Sequence, residues 1–205
     1  MKLYLADKAP NPDRVKYFLR EKGKWDEVPR VELNIISQEH KEPGYRALSP
    51  LSQVPALELD DGDALTESRA ICTYFEGLFP EPNLMGRDFA ERAHIEMWDR
   101  RIEHLYLYVL AGWFRNGHPA MAELEKPQSK EWSEISAARA DRMATWLDAH
   151  FAESPFVAGD RFTIADITLH VALGFGRVMK FKPWETREHL AAYRDKLLAR
   201  PGLSG

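Results

Sequence analysis

The stretch "VPALELDDGDALTES", residues 54 to 68, predicts a β-hairpin that leads directly into a helix. Its first half has the alternation of a strand, with Val54, Ala56 and Glu58 on one side. Asp61-Gly62 then supplies a good hairpin turn, because glycine adopts the positive φ angles that such turns need. The helix that follows is indicated by apolar residues at helical spacing, namely Ala70, Ile71, Tyr74, Phe75 and Leu78.

A strand, a helix and a second strand precede this hairpin. Residues 2–6 have the composition of a buried strand, and Val28–Leu33 of another. Between them, Asn11 is a favourable N-cap, with Pro12 at the first helical position and Gly23 at the end. The helix has one apolar face, formed by Val15, Phe18 and Leu19. Because the links are short, we predict a βαβ unit with parallel strands.

Between the βαβ unit and the hairpin lies an irregular polar stretch at 37–50, in which we expect one helical turn. The order βαβ–ββα is complete by about residue 79. The segment "FPEPNLMG", residues 79 to 86, then reads as a linker because it is rich in proline, asparagine and glycine. We therefore predict one domain at residues 1–79, a linker at 80–87 and a second domain at 88–205.

The second domain is predicted to be all-α. Apolar residues step by three and four along it, as in Ile95, Trp98, Ile102, Leu105 and Val109, then Ala140, Met143 and Leu147, then Leu190, Tyr193 and Leu197. One helix start is well marked: Thr163 and Asp166 form a capping box, and Phe162 and Ile167 form its hydrophobic staple. The fold class is thus α/β followed by all-α.

Composition excludes several classes of function. The 205 residues are 44% apolar with a net charge of −4, and no long basic run suggests nucleic-acid binding. One cysteine allows no internal disulfide and suits a reducing compartment. No apolar run reaches membrane-spanning length, and the N-terminus does not resemble a signal segment. The histidines show no metal-ligand spacing. We expect a soluble cytoplasmic protein without metal, nucleic acid or membrane partners.

The whole chain resembles the cytosolic glutathione transferases, most strongly in "LSQVPALEL" at 51–59, "LTESRAI" at 65–71 and "FVAGDRFTIADITLH" at 156–170. The resemblance implies a thioredoxin-like N-terminal domain, an all-helical C-terminal domain, and a homodimer. It also implies glutathione as co-substrate and a small hydrophobic electrophile as the second substrate.

The resemblance further implies a site for the tripeptide. Val54-Pro55 matches the family's cis-proline, which would leave the Val54 backbone free to pair with the cysteinyl backbone of glutathione. Ser68 would hold the γ-glutamyl carboxylate at a helix N-terminus, and Glu67 would face the α-amino group. The glycyl carboxylate would meet His40, Lys41 and Gln53. Three plainer interpretations stay open: Ser68 only caps the helix, Glu67 is only a first-turn acid, and His40 and Lys41 are a solvated surface pair.

The turn before the first helix lacks the family's usual catalytic hydroxyl or thiol. Ala9 stands where the family has serine or cysteine, and this disfavours the branches that use a protein cysteine. Asn11 resembles the asparagine of a bacterial subset, whose amide would stabilise the thiolate of glutathione. The alternative is that Asn11 is only an N-cap. Arg14 is expected on the surface or in an ion pair between domains, with a distant electrostatic effect on the thiolate as the alternative. Cys72 is expected to be a small buried residue inside the third helix.

Aromatic residues at the start of the all-α domain suggest the second-substrate pocket. The candidates in "HLYLYVLAGWFRNGHP", residues 104 to 119, are Tyr106, Tyr108, Trp113 and Phe114. Glutathione transfer to a small apolar electrophile is the leading function. Two alternatives are glutathione-dependent reduction of disulfides or peroxides without a protein cysteine, and a non-catalytic binding module.

Overall fold

The computed structural model describes residues 1–7 and 9–204. These residues form two compact units. The N-terminal unit is Met1–Leu84 together with Pro201–Leu203, and the helical unit is Met85–Arg200 together with Ser204. The change from one unit to the other falls inside residues 80–87, and the role of that segment as a linker stays a prediction.

The N-terminal unit contains a four-stranded mixed sheet with the strand order β2-β1-β3-β4. The parallel pair β1 and β2 confirms the predicted βαβ unit, and the antiparallel pair β3 and β4 confirms the predicted hairpin. The strands are short: β1 is Lys2–Leu5, β2 is Arg30–Glu32, β3 is Ala56–Glu58 and β4 is Ala64–Thr66. The predicted strand Val28–Leu33 is thus longer than the observed strand β2.

Three helices accompany the sheet: α1 is Pro10–Glu21, α2 is Pro43–Leu48 and α3 is Ser68–Leu78. Helices α1 and α3 pack against each other and bury a common core. Its fully buried members include Leu3, Val15, Phe18, Leu19, Leu57, Ile71 and Phe75. The polar stretch before β3 holds more helix than predicted, since a 3₁₀ turn at Glu39–Lys41 precedes α2.

Helix α1 begins earlier than predicted, so the N-cap assignment of Asn11 is wrong. Ala9 is the N-cap and Pro10 the first helical residue, and no side chain caps this end. Pro10 suits this place because its fixed φ angle is already helical and the first turn needs no N–H from it. The first helical bond runs from the Asp13 N–H to the Ala9 carbonyl, at 3.0 Å.

The C-terminus of α1 confirms the predicted end at Gly23. Gly23 has a φ angle of +65°, and its N–H donates to the Arg20 carbonyl at 2.9 Å. The Lys24 N–H donates to the Leu19 carbonyl at 2.8 Å. A glycine is favoured here because the left-handed conformation carries no side-chain clash.

Residues 82–84 are fastened to the N-terminal unit through Glu76 on α3. Its Oε1 atom accepts from the Asn83 side-chain amide at 2.9 Å and from the Leu84 N–H at 3.0 Å. Lys22, the C-cap of α1, forms an ion pair with Glu76 and donates to the Pro82 carbonyl at 2.6 Å. The first half of the predicted linker is therefore held by a partly buried charge pair.

The helical unit contains α4 (Phe89–Ile102), α5 (Tyr108–Gly117), α6 (Lys130–Glu153), α7 (Ile164–Gly176) and α8 (Glu188–Leu198). A π-helical turn, Glu103–Leu107, joins α4 to α5. The prediction that Leu105 lies on the apolar face is wrong at this turn. Leu105 is 55% exposed, whereas Tyr106, Leu107 and Leu110 are buried. A π turn holds an extra residue, so the buried face shifts by about one position after Ile102.

The predicted capping box at α7 is confirmed, and the carboxylate of its buried residue Asp166 accepts four hydrogen bonds. The Asp166 carboxylate accepts from the N–H groups of Thr163, at 2.8 Å, and Val157, at 2.9 Å. It also accepts from the hydroxyls of Tyr193, at 2.8 Å, and Thr163, at 3.2 Å. Burial raises the pKa of Asp166 to about 6 while these bonds oppose the rise, so the group is ionised at neutral pH.

We expect Asp166→Asn to lower the free energy of unfolding by about 2–4 kcal/mol, because an amide NH₂ would face donors that then stay buried and unsatisfied. Urea denaturation of both variants measures this. Asp160→Asn, at an exposed position nearby, is the matched control and should change the value by less than about 0.5 kcal/mol. Equal effects of the two substitutions would contradict the role given to Asp166.

Candidate functional site

The strand register brings the predicted site residues to one end of the sheet. Ala56 pairs with Tyr4 on β1 and with Thr66 on β4. Val54, two residues before Ala56, and Ser68, two residues after Thr66, therefore emerge at the same end. This is also the end at which β1 stops and the chain turns into α1.

Val54 presents an unused backbone edge at this end of the sheet. Its bond to Pro55 is cis, as the resemblance implied. Neither the N–H nor the carbonyl of Val54 forms a hydrogen bond within the described ranges, 1–7 and 9–204. The preceding carbonyl, of Gln53, accepts from the hydroxyls of Tyr45, at 2.5 Å, and Ser49, at 2.9 Å. A peptide can therefore pair with Val54 on a backbone that is already held in place.

Glu67 and Ser68 lie at the start of α3 and behave differently. Glu67 is exposed, has a φ angle of +68°, and its carboxylate forms no ion pair with any residue that the structure describes. Such a φ angle is uncommon outside glycine and often occurs at functional sites. Ser68 is buried and is the first helical residue, and no side chain caps α3. The interpretation of Ser68 as a helix cap is therefore wrong.

Arg14 is the residue that sequence reasoning misplaced. It is 1% exposed, within the N-terminal unit, and its Nη1 atom donates to Ser68 Oγ at 3.0 Å. Because Ser68 Oγ accepts this bond, its own proton can point elsewhere and donate to a ligand. The helical spacing indicates that Arg14 is buried, because Arg14 lies four residues before buried Phe18 and on the same side of α1.

The three residues predicted for the glycyl carboxylate are distributed around α2. His40 and Lys41 belong to the 3₁₀ turn before α2, and Gln53 follows it. Burial lowers the pKa of His40, and the charge of Lys41 adds to this, so the imidazole is neutral at pH 7. Lys41 is exposed and pairs with no acid in the described part of the chain, so its ammonium is open to an anion.

Asn11 is the only residue among the first three of α1 that has a backbone N–H, because Pro10 and Pro12 have none. It is half-buried, and its side chain forms no hydrogen bond within residues 1–7 and 9–204. Helix N-termini bind anions through N–H groups that are not used in the helix. At this helix start that capacity is concentrated in the backbone and amide of Asn11.

The single cysteine lies away from this end of the sheet. Cys72 is in α3 and has no exposed surface. Its thiol therefore cannot react with a disulfide or peroxide in the folded protein.

The aromatic candidates in the helical unit divide into two groups. Tyr106 is fully buried and burial raises its pKa, so the pocket role predicted for Tyr106 is contradicted. Tyr108 is 47% exposed. Trp113 packs against Phe181 with 5.5 Å between ring centroids, and Phe114 packs against Phe175 at 5.4 Å, yet both keep partial exposure. Tyr108, Trp113 and Phe114 therefore remain candidates.

Comparison with known proteins identifies the family. Residues 9–78 match the family model described as "Glutathione S-transferase, N-terminal domain". Residues 106–201 match the model described as "Glutathione S-transferase, C-terminal domain". The chain belongs to the glutathione S-transferase family. Glutathione S-transferase 2 of Saccharomyces cerevisiae is 34% identical to this transferase over 204 residues, which cover 99% of this chain and 88% of the relative.

Solved structures agree over the full length. A glutathione S-transferase domain-containing protein of Marinobacter aquaeolei has a TM-score of 0.94 and 36% identity, with 100% of both chains covered. Gtt2 of Saccharomyces cerevisiae has a TM-score of 0.92 and 34% identity, with 99% of this chain and 98% of the other covered. The predicted fold class, a thioredoxin-like unit and an all-α unit, is confirmed.

Family membership makes this protein a glutathione transferase with glutathione as its co-substrate. The described residues, 1–7 and 9–204, contain no group of three or more histidine, cysteine, aspartate or glutamate residues suited to hold a metal ion. They also contain no helix with the length and apolar character that crossing a membrane requires.

We expect a double-mutant cycle to show that Arg14 and Ser68 stabilise the transferase together. Ser68→Ala should lower the free energy of unfolding by about 1–3 kcal/mol, because the buried guanidinium loses an acceptor. In Arg14→Met the same serine substitution should cost clearly less. Denaturation curves of the four proteins give the coupling, and Ser154→Ala is the control. Strictly additive effects would contradict the assigned bond.

Proposed function

We propose that this transferase uses the start of α1 to hold the thiolate of glutathione, which attacks a small apolar electrophile. The carrying observation is that Asn11 has the only N–H group among Pro10, Asn11 and Pro12, together with a side-chain amide that the fold leaves unused. Ala9, at the position of the family's serine or cysteine, has no side-chain donor that could take this role.

The required stabilisation is small enough for this arrangement. A free thiol has a pKa of about 8.5, and lowering it by one to two units needs roughly 1.4–2.7 kcal/mol in favour of the thiolate. A helix N-terminus contributes about 0.3–1 kcal/mol. A hydrogen bond to a charged acceptor contributes about 1.5–3 kcal/mol. One bond from Asn11 together with the helix dipole is therefore sufficient.

In this proposal the rest of glutathione lies along the same end of the sheet. The Val54 backbone pairs with the cysteinyl residue, and Glu67 binds the α-amino group. Ser68 donates its hydroxyl proton to the γ-glutamyl carboxylate, while Arg14 behind it adds a buried positive charge. At the glycyl carboxylate, Lys41 supplies charge, and neutral His40 and Gln53 supply hydrogen bonds.

The second substrate is proposed to meet aromatic side chains of α5. Tyr108, Trp113 and Phe114 offer partly exposed apolar surface. The hydroxyl of Tyr108 can donate to a negative charge that develops on the electrophile. No observation favours the reductase alternative over transfer. The open groups at Val54 and Glu67 argue against a non-catalytic binding module, because such a module is expected to have lost the γ-glutamyl site.

Asn11→Asp tests the proposed function. An acid in the first turn of a helix is favourable, so thermal stability should be kept. The new carboxylate offers only acceptors and a negative charge. We expect the pKa of bound glutathione, measured by thiolate absorbance, to rise by at least about one unit, with about tenfold slower turnover at neutral pH.

Asn11→Ala is the matched variant, since it removes the amide without adding charge, and its effect on the thiol should be smaller. Affinity for S-hexylglutathione, which has no thiolate, should change less than threefold in both variants. If the bound thiol of Asn11→Asp titrates at the wild-type pH, the proposed role of Asn11 is wrong.

We also propose that this transferase is a homodimer and acts in the cytoplasm. The single cysteine suits a reducing compartment. An open groove of about 370 Å³ on the helical unit supports a self-association surface. Its wall contains the apolar residues Leu105, Val109 and Met143, with His104, Arg139 and Arg142 beside them.

Sedimentation velocity should give about twice the mass of one chain for the wild type. Leu105→Glu should shift the mass toward one chain, because Leu105 is a large exposed apolar residue in the groove. Leu124→Glu, at an exposed leucine outside the groove, is the control and should leave the mass unchanged. A wild-type mass of one chain would contradict the homodimer.

A further inference from the structure

A half-enclosed cavity of about 130 Å³ lies in the N-terminal unit, apart from the residues proposed to bind glutathione. Its walls come from the end of β1, the first turns of α1, strand β2 and Trp25. Helix α1 contributes Pro12, Asp13 and Lys16, whereas Arg14 of the same helix contacts Ser68. None of the glutathione-binding candidates is among the lining residues.

The interior of this cavity is apolar. It is lined by Leu5, Ala6, Pro12, Trp25 and Val31. An apolar protein cavity of roughly 150 Å³ accepts a benzene ring. The present cavity is of similar size and partly open, so a single six-membered ring with a short polar arm matches its dimensions.

The wall at Trp25 is fixed before any ligand arrives. The Arg30 guanidinium lies 4.1 Å from the centroid of the Trp25 ring and donates to the Trp25 carbonyl. The Arg20 guanidinium lies 6.0 Å from the same ring. A preformed wall lowers the entropy cost of binding, because few side chains have to be ordered.

Among the residues that the structure describes, the rim of the cavity has more acids than cations. Three carboxylates line it, those of Asp7, Asp13 and Glu32, against the two cations Lys16 and Arg30. Both cations already have acidic partners, since Lys16 pairs with Asp13 at 3.1 Å and Arg30 with Asp26 at 3.8 Å. Glu32 forms no ion pair with any residue in the described ranges. A ligand that brings its own positive charge would complement this rim.

We propose that the cavity binds a small arylalkyl ammonium ion, with its ring among Leu5, Pro12 and Val31 and its charge near Glu32. The site is a non-catalytic ligand site and does not depend on the proposed thiolate chemistry. Its specificity follows from two separate features, the size of the apolar interior and the unpaired acid at the rim.

Benzylamine is the test ligand, with benzyl alcohol and benzoate as neutral and anionic analogues of similar size. Calorimetric titration at pH 7 uses the full chain saturated with S-hexylglutathione, so that the transferase site is filled. We expect benzylamine to bind about twofold to fivefold more tightly than benzyl alcohol, the effect of one partly exposed ion pair. Benzoate should bind least well.

Three variants locate the site. Val31→Phe should abolish binding of both benzylamine and benzyl alcohol by filling the cavity, whereas Glu32→Gln should remove only the preference for the amine. Glu32→Lys, an exposed position on an edge strand, should reverse the preference toward benzoate. Glu153→Gln, at an exposed acid of α6, is the matched control and should behave as the wild type.

Retained affinity for S-hexylglutathione shows that each variant is folded. If Val31→Phe itself does not fold, the variants Glu32→Gln and Glu32→Lys still test whether the cavity binds benzylamine through its charge. Tighter binding of benzoate than of benzylamine by the wild type would overturn the proposal. Wild-type binding of benzylamine by Val31→Phe, or an unchanged preference in both Glu32 variants, would overturn it equally.

Discussion

The hydrogen bond from Arg14 to Ser68 joins the two helices on which the N-terminal unit depends. It connects α1, which follows β1, to α3, which follows the hairpin, at a position where both residues are buried. A buried guanidinium is costly unless its donors are used, so the bond restricts how α3 can start. The same bond uses Ser68 Oγ as an acceptor and leaves its hydroxyl proton for the ligand contact that we propose.

The proposed site combines backbone groups that the fold leaves open with side chains that it holds. Val54 is open because the chain enters β3 just after it, while Tyr45 and Ser49 immobilise the carbonyl before it. At the start of α1, two prolines remove donors, and Asn11 alone retains them. Preorganised donors stabilise an anion at little cost in reorganisation. On the proposed function, such donors at the start of α1 take the place of the hydroxyl or thiol that Ala9 lacks.

Within the helical unit, helices are specified in two different ways. In the helical unit the Thr163–Asp166 capping box acts locally and defines where α7 begins. The π turn between α4 and α5 has the opposite character, since it changes which residues are buried without any local breaker such as proline or glycine within Glu103–Leu107. Tyr106 is buried as a result, and the exposed aromatic surface passes to Tyr108.

The sequence by itself determined the order of elements, the hairpin at Asp61-Gly62, the end of α1 at Gly23 and the capping box of α7. These features depend on residues close together in the chain, and turn, cap and periodicity rules act over that range. Only the tertiary structure decided the burial of Arg14, the start of α1 at Pro10, and the loss of Leu105 from the core. Two prolines were equally suited to begin the helix. The partner of a buried arginine and the register after a π turn both depend on packing between segments distant in sequence.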